Sequence, residues 1–152
     1  MSSNQIYLCA ISNIESGTCN EDCKFCTQSV KYKADIQRYR RKEIEEIVLE
    51  AKKARENKAV GFCLVTAGTG LDDKRLDYVC RAADAVHKAV PDISLIACNG
   101  IATYEQLKEL KKHFFKKKRT LLVSSNFKKK IQKLNFQLET YLTYTIKGKE
   151  KE

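Results

Sequence analysis

The first 112 residues predict an α/β fold of successive parallel βα units, and three observations carry that prediction. Short apolar runs alternate with longer stretches of helical period, in the order strand, loop, helix, strand, helix, strand, helix. The second and third apolar runs, AVGFCLVT and ISLIAC, are continuous, as in strands buried on both faces. Each closes on turn chemistry, Gly68 and Gly70 after the first of these and Asn99-Gly100 after the second. Repeated βα units imply a parallel sheet with right-handed crossovers, and ligand chemistry in such sheets gathers at the carboxyl ends of the strands.

Gln5 to Ser12 reads as a short buried strand built on Ile6, Leu8 and Ala10. Asn13 to Asp35 is polar and aperiodic, carries three cysteines, and reads as a functional loop directly after that strand. Arg41 to Lys58 is a helix: Ile44, Ile47, Val48, Ala51 and Ala54 recur every three or four residues, with charged residues elsewhere. Ala59 to Thr66 is the second strand. Asp72 to Val90 is the second helix, striped by Leu76, Val79, Ala83, Val86 and Val90 and stopped by Pro91. Ile93 to Cys98 is the third strand. Thr103 to Lys112 is the third helix, with Thr103 and Gln106 at capping-box spacing and Leu107 and Leu110 on the apolar stripe.

Composition divides the chain near residue 112. Residues 113–152 carry +8 of the +10 net charge and contain no Ala, Asp or Cys. All seven cysteines lie before residue 99. Two segments are therefore expected: 1–112, an α/β body, and 113–152, a Lys-rich divergent tail. Within the tail, Thr120 to Ser124 is a candidate strand and Gln132 to Thr145 a weak helix or strand. The tail's KKKR and KKK, with Phe115 and Phe127 nearby, have the ingredients of nucleic-acid binding, phosphate contacts and base stacking. No recognised module accompanies them, so a solvated or disordered tail is the expectation. No run approaches the ~18 apolar residues of a spanning helix, and no basic segment precedes the apolar start as in a secretory signal. A cytoplasmic location without a membrane is expected. An odd number of cysteines there favours metal or redox chemistry over a disulfide framework.

Cys19, Cys23 and Cys26 form a C-x3-C-x2-C array in CNEDCKFC. Thiolates are soft ligands that suit iron–sulfur clusters or zinc. Structural zinc wants four ligands, and this array supplies three. Three ligands on a cubane cluster leave one iron open to a small molecule, which favours a catalytic cluster. A zinc loop completed by Cys9 or Cys63, or plain packed cysteines, is the alternative. Cys80, on a helix beside Val79 and Ala83, reads as core, and His87 as helix surface.

The array resembles the signature of the radical S-adenosylmethionine (SAM) superfamily. ISNIESGTCNEDCKFCTQSVKYK, FCLVTAG and DISLIACNG, in that order, resemble the N-terminal part of the biotin synthase family over about residues 5–112. The resemblance implies a (β/α)8 TIM-type barrel, of which about three units are present here. It implies a 4Fe–4S cluster on Cys19, Cys23 and Cys26, with SAM chelated at the open iron. Phe25 would lie beside the SAM adenine, and Gly68 would let SAM approach the second strand, although a plain turn explains Gly68 equally well. Cys63 and Cys98 match two ligands of a sulfur-donating 2Fe–2S cluster; from the residues alone, buried core cysteines are the better reading. Cys9 matches no ligand position. The implied reaction converts dethiobiotin to biotin by radical sulfur insertion, with a flavodoxin-type electron donor and a homodimeric enzyme. The later Asn-His-Asn-Leu-type segment, third cysteine and arginine of the family do not follow Lys112. The expectation is a truncated or frameshifted copy, impaired in making biotin. A different radical SAM enzyme of the same group, or a non-enzymatic basic nucleic-acid-binding fragment, are the competing readings.

Overall fold

The computed structural model describes residues 7–24 and 26–114. Three strands, β1 (Cys9–Asn13), β2 (Gly61–Val65) and β3 (Ser94–Cys98), alternate with three helices, α1 (Ile44–Glu56), α2 (Asp73–Ala89) and α3 (Tyr104–Phe114). The strands pair in parallel in the order β1-β2-β3. Cys9 pairs with Gly61 and Gly61 with Ser94; four residues on, Asn13 pairs with Val65 and Val65 with Cys98. Right-handed crossovers that step in one direction along a sheet place their helices on one side of it.

That side is the core. Ser12 of β1, Phe62 and Leu64 of β2, and Leu95 and Ala97 of β3 are buried there. Ile47, Ala51 and Ala54 of α1, Val79, Ala83 and Val86 of α2, and Leu110 and Phe114 of α3 close over them. The helical stripes expected from the periodicity are thus the faces that pack. Side chains cap two of the helix starts, and the capping box at α3 is the one read from the sequence. Asp72 caps α2 by accepting from the Arg75 N–H at 2.8 Å. Thr103 and Gln106 form a reciprocal capping box at α3, with bonds of 2.9 and 3.2 Å.

The expectation of strands buried on both faces is corrected. Cys9, Ile11 and Asn13 are exposed on the face away from the helices. Cys63, Val65, Ile96 and Cys98 on that face are only half-buried. Leu8, expected inside, is 51% exposed. The cause is topological: no described helix covers this side, and β1 is an edge strand. An open three-stranded α/β sheet is present among the described residues, rather than a closed barrel. Nor is any helix among them long and apolar enough to cross a membrane.

The expected tail elements at 120–124 and 132–145, and Phe25, lie outside the described residues. The third helix does run past the compositional break, to Phe114, which is fully buried. His87, expected on a helix surface, is half-buried instead, with Nε2 3.3 Å from the Phe114 carbonyl.

Cys80 sits in the core of α2 as expected. Burial, and then the nearby Glu109 and Asp84, push its thiol from 9.0 up to about 11. The unfolded thiol ionises first as pH rises, so this contribution to stability is intact below pH 9 and lost as pH climbs towards about 11. Cys80→Ala is expected to flatten the fall of urea stability over that range. Equal slopes in the two proteins would contradict the assignment.

Candidate metal centre and its cleft

The cysteine loop leaves the carboxyl end of β1, where a parallel sheet presents its chemistry. It folds back on itself through its backbone. The Cys19 N–H donates to the Gln28 carbonyl at 3.1 Å, and the Val30 N–H returns to the Cys19 carbonyl at 2.8 Å. The Cys26 N–H donates to the Cys23 carbonyl at 3.0 Å, which makes a tight turn between those two cysteines. Upstream, Ser16 and Tyr39 exchange backbone bonds of 3.0 Å each, which ties the entry of the loop to its exit.

Side chains complete this scaffold. Gln28 Oε1 accepts from the Gly17 N–H at 2.7 Å and from the Ser16 hydroxyl at 3.1 Å. Ser29 Oγ donates to the Glu21 carbonyl at 2.6 Å. The Arg38 guanidinium donates to the carbonyls of Gly17 and Tyr32. Gly17 has φ +69°, and a Cβ there would lie 2.5 Å from the Arg38 side chain, so both its conformation and its space require glycine. From the sequence this segment reads as a bare ligand loop. Gln28, Ser29 and Arg38 carry no periodic or spacing signal that marks a loop scaffold.

The three thiols are free. Cys19 is buried, Cys26 half-buried and Cys23 exposed. Their donor chemistry fits an iron–sulfur cluster: three soft sulfurs on one short loop held by main-chain bonds. Among the described residues, no three His, Cys, Asp or Glu side chains are gathered around a common point suited to a metal ion.

Cys63 and Cys98 occupy the open face of the sheet. Cys63 is level with Ile96 in the register, and Cys98 lies two residues further along the same face of the adjacent strand. Cys9 stands on that face too, from β1, with its sulfur over Gly61; a Cβ at Gly61 would meet Cys9 Sγ at 2.7 Å. Burial pushes the Cys63 thiol up to about 12, with smaller contributions from Cys98 and Cys9. Burial raises the Cys98 thiol as well. The placement of Cys9 beside this pair has no signal in the sequence, where Cys9 matches no pattern.

A cleft of about 530 Å³ opens beside the loop. Thr18 and Asn20 of the cysteine loop form one wall, Gly68 to Asp72 and Arg75 another, and Ile101 to Thr103 with Gln106 the third. Two glycines hold the second and third walls together. A Cβ at Gly70 would lie 2.4 Å from the Ile101 carbonyl oxygen. Gly100, at φ +76°, would bring a Cβ 2.4 Å from that of Thr69. The closeness lets the Leu71 N–H reach the Ile101 carbonyl at 2.9 Å, and the Ile101 N–H the Thr69 carbonyl at 2.8 Å. Gly68 lies in the cleft wall, against Arg75: a Cβ there would be 2.9 Å from its guanidinium.

A cysteine-bearing loop after the first strand of a parallel α/β sheet, beside a cleft at the strand ends, is an arrangement suited to a cluster-dependent enzyme. The Radical SAM superfamily model matches residues 14–120, and the chain belongs to that superfamily. Its similarity is more specific than that. It is 94% identical over 113 residues to a biotin synthase of Aliarcobacter butzleri, covering 74% of this chain and 40% of that protein. It is 70% identical over 108 residues to a biotin synthase of Campylobacter jejuni subsp. jejuni, covering 71% and 39%. Against a biotin synthase of a Nitratiruptor species the figures are 71% over 107 residues, 70% and 38%. The chain thus spans about two fifths of the length of the curated relatives it matches. Superfamily membership implies a 4Fe–4S cluster and SAM.

Proposed function

We propose that this chain carries the cluster-binding part of a biotin synthase-type radical SAM enzyme, a sulfurtransferase that converts dethiobiotin to biotin. The observation that supports it most is one juxtaposition. The Cys19, Cys23 and Cys26 loop leaves the carboxyl end of β1, while Cys63 and Cys98 stand on one face of the same sheet. In this reading the first three hold the 4Fe–4S cluster and the last two are ligands of a 2Fe–2S cluster. When bound on Cys19, Cys23 and Cys26, the four-iron cluster would supply an open iron for SAM and one-electron reducing power for cleavage of its sulfonium C–S bond. The protein's share is to bind, orient and exclude water. Phe25, Gly68 and the cleft walls take SAM, and the open sheet face takes the substrate side. A flavodoxin-type donor, a homodimeric, cytoplasmic enzyme and a complete (β/α)8 barrel belong to the same reading.

The division into a 1–112 body and a 113–152 divergent tail, and an impaired activity of this chain alone, are proposed with it. The open face bears on the impairment: among the described residues no helix covers it, Ile11 is 69% exposed there, and an apolar face left so neither shields a radical nor completes a site. Anaerobic reconstitution of the chain with iron and sulfide, followed by reduction, tests the proposal. The expected result is iron–sulfur absorbance and reductive cleavage of SAM to 5′-deoxyadenosine. No cluster absorbance would refute the cluster assignment. A biotin auxotroph expressing this chain alone is expected not to grow without biotin, and growth would refute impairment.

A further inference from the structure

Glu15 is a carboxylate buried to 3% exposure, four residues before the first cysteine of the array. Arg75 Nε lies 2.7 Å from one of its oxygens, and Arg41 Nε 3.5 Å from the other. Buried ion pairs cost desolvation and are poor stabilisers by themselves; where they persist, fixing one arrangement against others is their best-attested use. The rest of the Arg75 side chain shows which arrangement is fixed here. Its Nη1 donates to the Gly70 carbonyl at 2.6 Å, and its guanidinium lies against Gly68. One side chain therefore grips both the entry of the cysteine loop and the glycine turn after β2.

Two further bonds join the same pair of segments. Thr18 Oγ1 donates to the Ala67 carbonyl at 3.2 Å, and Thr69 Oγ1 to Glu21 at 2.8 Å. Thr18, Gly68, Thr69, Gly70 and Arg75 all line the one cleft. Neither the cysteine spacing nor the family resemblance gives Arg75 or Glu15 a role.

We infer that Arg75 is a positioning residue: through Glu15 and Gly70 it holds the cysteine loop in register with the glycine turn, so that the cleft between them is preformed for SAM. The inference rests on the cluster reading proposed above.

Arg75→Gln tests it in the full chain. Arg41 still pairs Glu15 in that variant, so no bare charge is left inside. Amide exchange is expected to accelerate together at residues 15–21 and 67–71, while the urea midpoint moves little. In the reconstituted, reduced chain, SAM is titrated against the electron paramagnetic resonance signal of the cluster. The variant is expected to take up iron normally but to bind SAM about tenfold more weakly, as when a supporting partner of a metal site is lost. Arg75→Lys, which keeps the charge without the fork, is expected to fall between. Unchanged exchange, or faster exchange with unchanged SAM affinity, overturns the inference. If Arg75→Gln loses its native circular dichroism, Arg75→Lys decides by the same criteria. If the unmutated chain takes up no iron, the cluster reading has failed and this inference falls with it. Iron uptake with equal SAM affinity in all three proteins overturns the positioning role alone.

Discussion

Single replacement of Cys19, Cys23 or Cys26 by Ser is expected to abolish formation of a stable four-iron cluster and to reduce SAM cleavage to background. A hydroxyl is a hard, weakly acidic donor and cannot replace a thiolate on iron at neutral pH. Three thiolates are the minimum that leaves one iron open, so losing one leaves no partial site. The structure makes the expected loss attributable to ligation. Cys19 is fixed by main-chain bonds to Gln28 and Val30 that do not involve its sulfur. Cys23 is exposed, so its exchange removes no packing. Circular dichroism should therefore stay native while iron and sulfide content and the paramagnetic signal disappear. Cys80→Ala is the control, because that thiol faces the helical core. Full cluster content in any of the three serine variants would remove that cysteine from the ligand set. Loss of iron with Cys80→Ala in an otherwise folded chain would point to an unrecognised contribution from α2.

The order of elements and the packing stripes are legible because hydrophobic period is a local signal. Ile47, Ala51, Val79, Ala83, Val86 and Leu110 can be assigned to the core from spacing alone, and the capping box at Thr103 and Gln106 from residue type and spacing. The cysteine loop stands out in the sequence because its three thiols fall within eight residues of one polar, aperiodic stretch. What stays hidden depends on long-range neighbours. Glu15 and Arg75 are 60 residues apart, and nothing in either segment announces the other. The shared face of Cys9, Cys63 and Cys98 follows from strand register, which an apolar run cannot give. The exposed face of β1 escapes the sequence for a related reason. An apolar strand says that it wants cover, and only the topology says on which side cover is present.

Phe114→Ala is expected to destabilise the described body by about 3–5 kcal/mol, a large share of the ~5–15 kcal/mol typical of a domain. Composition alone puts a boundary near residue 112, and a boundary there would make this substitution nearly neutral. The packing argues otherwise. Phe114 is wholly buried in the same core cluster as Val86 and Leu110, at the last turn of α3. The turn that places it is held by polar contacts as well. His113 Nδ1 lies 2.7 Å from Asp84 on α2, its Nε2 3.3 Å from Glu109, and His87 reaches the Phe114 carbonyl. Removing the ring would leave a cavity between α2 and α3, with these contacts restraining its collapse. Phe114→Leu, which retains most of the volume, should cost much less. Urea unfolding of both variants measures the difference. A loss under about 1 kcal/mol for Phe114→Ala would mean that the cavity closes, contrary to the packing of α2 against α3, and would move the physical edge of the body back to the compositional break.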